Sequence, residues 1–256
     1  MTAGGVLDGW RILIVGASSG IGRALGQQCA REGARVAFAA RRQELVASAA
    51  AEAGNGAVGL VCDVREQASC NAVVNDAVAA FGGIDALVYA TAIDVLVRIG
   101  DADADTWRNT FATNVFGAGL ITAAALPHLK ESKGRAIFVS ASSVDRPLPG
   151  MGVYASSKAA LETMVRAWQA EHPDLCFATA RIGSALGTGV TDSWDRTLMM
   201  ELAGGWQALG YVHSNGPGGP MTVDQAASAL LGMLTSQVWL REVTAVSDPG
   251  RENYRF

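Results

Sequence analysis

The chain has 256 residues, of which half are hydrophobic and 17% charged, with a formal net charge of −4. This size and apolar content suit a compact globule with a large core and argue against disorder. No basic run exceeds the pair Arg41-Arg42, so a nucleic-acid surface is not expected. The four cysteines form no CxxC pair and read as reduced thiols. The three histidines lack metal-ligand spacing, and no metal is expected. The N-terminus shows no secretory pattern, and the longest apolar run, 117–126, is short for a bilayer span. The expectation is a cytoplasmic protein with no membrane partner.

Strand and helix signals alternate along the chain. Residues 11–15 read as a short apolar strand, followed by a glycine loop and a helix over 20–31. Further strands are predicted at 34–39, 57–61, 85–89, 136–139, 177–182 and 243–246, with helices at 67–81, 106–129 and 153–171 between them. Short apolar strands separated by helices predict a mostly parallel sheet covered on both faces. The fold class is α/β, doubly wound and Rossmann-like, in three layers, with residues 1–256 as a single domain. The alternation stops after Ile182. The glycine-rich stretch 184–221, which contains Gly216-Pro217-Gly218-Gly219-Pro220, is expected to be a substrate-binding lid.

The loop Gly16-Ala17-Ser18-Ser19-Gly20-Ile21-Gly22 follows a strand and opens a helix. Its glycines permit a tight turn and close approach of a pyrophosphate, and the helix N-terminus supplies free amides. An NAD site wants a carboxylate at the end of the second strand, but this chain has Ala40 followed by Arg41 and Arg42. Arginine suits a 2′-phosphate, so NADP(H) is the expected cofactor, the alternative being two solvated arginines that open a helix. After the third strand come Asp63 and Val64. Asp63 fits either an adenine contact or a helix cap.

Tyr154 and Lys158 lie one helical turn apart and project from the same face. A nearby ammonium favours phenolate, and a phenol tuned in this way can exchange a proton with a carbonyl oxygen. With Gly16-x-x-x-Gly20-x-Gly22, Tyr154-x-x-x-Lys158 and the asparagine of Thr113-Asn114-Val115, the chain resembles the short-chain dehydrogenase/reductase family from Trp10 to about Ile182. The resemblance implies that Tyr154 is the proton donor, that Lys158 lowers its pKa and binds the nicotinamide ribose, and that Asn114 holds a water of the proton relay. It also implies a homodimer or homotetramer built on helices 106–129 and 153–171.

The sequence departs from the family pattern at three places. The serine usually found thirteen residues before the tyrosine falls on Ala141 in Ser140-Ala141-Ser142-Ser143, and Ser142 is expected to replace it. The Asn-Asn-Ala-Gly stretch is Tyr89-Ala90-Thr91-Ala92, in which Ala90 keeps a backbone contact to the cofactor. The Pro-Gly pair is Ile182-Gly183, with Thr188 expected to reach the carboxamide. On the substrate side, Leu148, Met151, Trp194 and Met199, among other apolar residues such as Trp206 and Tyr211, point to an apolar or aromatic carbonyl compound or to packing. An NADP-dependent carbonyl reductase or alcohol dehydrogenase is the leading expectation. The alternatives are an isomerase or dehydratase using bound nicotinamide, and a nucleotide-sensing regulator with little or no turnover.

Overall fold

The computed structural model describes residues 4–189, 191–209 and 219–247. Seven strands form one parallel sheet: β1 (Arg11–Val15), β2 (Arg35–Ala40), β3 (Val58–Val61), β4 (Ala86–Tyr89), β5 (Arg135–Ala141), β6 (Cys176–Ile182) and β9 (Glu242–Ala245). Their order is β3-β2-β1-β4-β5-β6-β9. Helices α1 (Gly20–Arg31), α2 (Gln43–Ala53) and α8 (Val223–Thr235) cover one face, and α3 (Gln67–Phe81), α5 (Gly117–Ser132) and α6 (Gly152–Glu171) cover the other. The core is split accordingly. Along β1, Ile12 and Ile14 enter one apolar cluster while Leu13 and Val15 enter the other, as the two-residue period of a strand requires. The fold class read from the sequence is the one observed, and the strand boundaries differ by one or two residues.

The long helix expected at 106–129 is composite. It begins at α4 (Ala104–Phe111), passes through a π-helical turn at Ala112–Phe116 and continues as α5. The stretch Ala104–Ser132 is long and apolar enough to cross a membrane by length and composition, yet Ala118, Ile121, Ala125 and Leu129 are buried against the sheet. Phe38 explains a glycine on the opposite face. A Cβ at Gly26 would lie 2.2 Å from its ring, so only glycine lets α1 approach β2 this closely.

The stretch expected to be a lid carries regular structure. It holds β7 (Ala185–Leu186), which pairs with β8 (Met221–Thr222), and α7 (Arg196–Ala208). Leu202 and Trp206 of α7 are buried against Leu96, Leu148, Met151 and Tyr154, and Trp206 Nε1 donates to the Pro149 carbonyl at 2.8 Å. Tyr211 and the run Gly216-Pro217-Gly218 lie outside the described residues.

One ion pair joins the strands on either side of the central crossover. Arg11 donates to Asp85 from Nε (2.9 Å) and Nη2 (2.7 Å), and the Arg11 amide donates to the same carboxylate at 2.8 Å. Partial burial works against ionisation of Asp85, but the Arg11 hydrogen bonds and charge outweigh it and hold the carboxyl below its ordinary range. A depressed folded-state pKa contributes stability above the unfolded value, and that stability is lost as pH falls through the folded one. Asp85→Asn is therefore expected to cost about 1 kcal/mol at neutral pH, allowing for solvent screening. In urea titrations the difference from wild type should shrink as pH falls below ~4.

Candidate active site

Between β1 and β4 the chain reverses its direction of travel across the sheet, and crossovers on either side leave a crevice beyond the carboxyl ends of the strands. A cleft of about 480 Å³ opens there. Its walls come from the ends of β1 to β6 in turn: Gly16, Arg41 and Arg42, Asp63 and Val64, Ala90 to Asp94, Val139 to Ser143, and Ile182 to Ala185.

At one end lies the glycine loop. Gly16 leaves β1 at φ +93°, and a Cβ there would sit 2.6 Å from the Thr91 amide nitrogen. A Cβ at Gly22 would sit 2.5 Å from the Gly16 carbonyl oxygen. Both glycines are thus required by close backbone packing, which leaves the N-terminus of α1 open to the cleft. Ser18, Ser19, Gly20 and Ile21 line the same end, and Thr188 packs its backbone near Gly20. Arg42 donates from Nη2 to Ser18 Oγ at 2.7 Å and to Ser19 Oγ at 2.8 Å. A guanidinium with two hydroxyls beside it, and alanine where a carboxylate would stand, forms a donor set that fits a ribose phosphate. Asp63 is paired with Arg65, whose hydrogen bonds hold its carboxyl down to about 2.

Deeper in the cleft, α6 presents Tyr154 and Lys158. Gly150, at φ +83°, makes the turn into this helix between Leu96 and Leu202. Lys158 is almost fully buried. Its ammonium donates to the Val139 carbonyl at 2.8 Å and sits 5.8 Å from the centre of the Tyr154 ring. Burial pulls its pKa down to about 8, while Asp94 and Glu162 oppose that fall. The ammonium therefore remains mostly charged at neutral pH. Glu162 anchors the helix to the sheet, accepting from Ser140 Oγ at 2.7 Å and from Arg181 Nε at 2.8 Å. Burial works against its charge, but the Arg181 and Ser140 hydrogen bonds keep it below its usual range.

Most of the residues expected at the site line this cleft, and Asn114, Leu148 and Met199 do not. Asn114 does not line it: both of its amide hydrogens are used, toward the Ile93 carbonyl (2.9 Å) and Ser157 Oγ (2.9 Å), and its Oδ1 accepts from the Ile93 amide (2.7 Å). Its side chain clamps the loop after β4 from behind instead of reaching into the cleft. Among the serines, Ser140 lines the cleft but spends its hydroxyl on Glu162, whereas Ser142 and Ser143 form the wall beyond β5. Met151 and Trp194 line the cleft. Leu148 is buried in the apolar cluster behind it, and Met199 lies on α7 away from the wall, partly exposed. By helical spacing Met199 shares the face of Leu202 and Trp206, but it lies in the first turn of α7 and is exposed, while Leu202 and Trp206 pack inward.

The sequence reading also passed over Asp94. It lines the cleft at 9% exposure, its Oδ1 has no partner among the described residues, and burial pushes its carboxyl up to about 7 against the pull of Lys158. The one available signal was a carboxylate next to the altered stretch Tyr89 to Ala92. The phenol of Tyr89 in that stretch donates to the Thr113 carbonyl within the π-helical turn. This bond ties the end of β4 to the π-helical turn.

The cleft and its residues can be set beside known proteins. The model of the family described as short chain dehydrogenase matches residues 11–176. The 11-beta-hydroxysteroid dehydrogenase-like 2 of Arabidopsis thaliana is 33% identical over 178 residues, 67% of this chain and 58% of that protein. The 11-beta-hydroxysteroid dehydrogenase A of Sesamum indicum is 35% identical over 170 residues, 64% of this chain and 49% of that protein. The chain spans about half the length of the curated relatives it matches. Among solved structures, the alcohol dehydrogenase of Thermococcus sibiricus, complexed with 5-hydroxy-NADP, aligns with a TM-score of 0.79 over 95% of this chain and 98% of its own at 24% identity. The 3-ketoacyl-(acyl-carrier-protein) reductase of Brucella melitensis, complexed with NADH, gives 0.80 over 96% and 99% at 22% identity. At these identities the structures speak for the fold. Taken with the family match over most of the chain, the comparisons identify this protein as a member of the short-chain dehydrogenase/reductase family of oxidoreductases.

Proposed function

We propose that the chain is an NADP(H)-dependent oxidoreductase that interconverts a carbonyl and an alcohol on an apolar or aromatic small molecule. The observation that carries this reading is the placement of Tyr154 and Lys158 in the same cleft as the glycine loop, with the ammonium held by Val139. The dinucleotide, when bound, supplies or accepts the hydride. Gly16, Gly20 and Gly22 would admit its pyrophosphate, and Arg42 with Ser18 would take the 2′-phosphate.

Tyr154 passes its phenolic proton to the carbonyl oxygen in reduction and takes it back in oxidation. Lys158 favours the phenolate by its charge, and burial strengthens that effect because little solvent screens it. Ser142, next to Ala141 at the thirteen-residue place, is the hydroxyl we assign to hold the carbonyl oxygen. Leu96, Leu148, Met151, Leu202 and Trp206 surround Tyr154 with apolar surface, which suits a water-poor ketone. The relatives named as hydroxysteroid dehydrogenases are in keeping with such a substrate.

The proposal is tested by following NADPH oxidation with a panel of apolar ketones and aldehydes. Tyr154→Phe is expected to lower kcat at least about a hundredfold while NADPH still binds. A variant that turned over at the wild-type rate would remove the proton donor from the account. Cofactor choice has its own test. Arg42→Ala should weaken NADPH about tenfold or more and leave NADH affinity nearly unchanged, as calorimetry would show. Equal losses for both cofactors would assign Arg42 to packing.

A further inference from the structure

Few buried polar side-chain atoms lack a partner among the described residues. They are Asp94 Oδ1, Ser143 Oγ, Trp194 Nε1 and Trp168 Nε1. Trp168 stacks against His172 and Phe177, away from the cleft. The other three all line the cleft, and they arrive from separate segments: beyond β4, beyond β5 and ahead of α7. Folded proteins leave few buried polar atoms unmatched, so three of them lining one cleft mark a surface built to be completed by a ligand.

The three groups differ in chemistry. Asp94 is an acceptor when ionised, the Trp194 indole only donates, and the Ser143 hydroxyl does either. Trp194 stands in apolar surroundings. Trp194 packs edge-on against Trp206 at 5.9 Å, and Met151 and Tyr154 stand beside them in the same cluster. The position of Asp94 is fixed from behind, because its neighbour Ile93 is clamped at both amide and carbonyl by Asn114. A buried acceptor on a held backbone discriminates strongly. A ligand lacking the matching donor leaves the carboxylate unpaired, and one that carries it does not.

Building on the carbonyl–alcohol reading, we propose that Asp94 is a specificity-determining residue. It accepts a hydrogen bond from a neutral hydroxyl that the substrate carries in addition to its reacting carbonyl. The substrate class is thus a hydroxylated apolar ketone, or the corresponding diol in the oxidative direction. A hydroxyl suits the site better than an ammonium. Lys158 already places one buried positive charge within electrostatic reach of Asp94, and a second cation would leave the pair with excess buried charge. A hydroxyl adds none, and it pairs with the carboxyl whether or not that group is ionised.

The test uses the whole protein saturated with NADP+, with 2-decalone, its monohydroxylated derivatives and an amino-substituted analogue as probes. Equilibrium binding is read by calorimetry on this complex, and turnover by NADPH oxidation in separate assays with NADPH in place of NADP+. At least one hydroxy-decalone is expected to bind about tenfold or more tightly than 2-decalone. In Asp94→Ala that ratio should fall to near one, and in Asp94→Asn, which keeps an acceptor oxygen and the side-chain shape, part of it should survive. A wild-type ratio near one, a ratio unchanged in Asp94→Ala, or tighter binding of the ammonium analogue than of any hydroxy-decalone would overturn the assignment. Because binding is measured apart from turnover, the two readings fail separately. A binding preference without NADPH oxidation would keep the hydroxyl site and remove the oxidoreductase reading. Turnover without the preference would do the reverse.

Discussion

The site depends on one buried ammonium group. Lys158 lies almost wholly out of water, where an isolated charge is costly, and its protonated form is kept by the Val139 carbonyl and by the negative fields of Asp94 and Glu162. Desolvation draws its pKa toward about 8, so the charge is held with little to spare at neutral pH. That balance serves the chemistry: an ammonium screened by few waters acts on its surroundings at close to full strength. Tyr154, one turn earlier on α6, stands in that field.

Much of the surrounding structure keeps this group in place. Ser140 on β5, Glu162 on α6 and Arg181 on β6 form one hydrogen-bonded unit that fixes the helix against the two strands beneath it. The loop after β4 is held by Asn114, whose amide is consumed in doing so. The π-helical turn around Asn114 is in turn bonded by Tyr89. On the outer side, Trp206 ties α7 to Pro149, at the turn leading into α6. These contacts make a rigid frame, and the unmatched polar atoms of the wall stand out against it.

The sequence carried the fold through periodic signals, because short apolar strands buried on both faces and glycines required by backbone contact leave marks in the chain itself. The glycine loop and the pair Tyr154 and Lys158 were legible for the same reason: their spacing is local. What was not legible depends on long-range packing. The commitment of Ser140 to Glu162 joins residues 22 apart in the chain and is invisible from the cluster Ser140 to Ser143 alone. Met199 lies at helical spacing from Leu202 and Trp206, so nothing local in the chain shows that it stays exposed while they pack on Leu96 and Leu148. Asp94 has no motif of its own. Its interest comes entirely from burial and from the absence of a partner.

The central claim is that the Lys158 charge sets the proton affinity of the Tyr154 phenol. The most direct measurement is the pH dependence of alcohol oxidation in the wild type and in Lys158→Met, at saturating cofactor. Loss of the ammonium makes phenolate harder to form, so the acidic limb of the profile should move to higher pH by about one unit or more. A limb that stays where it was in the wild type would contradict the account.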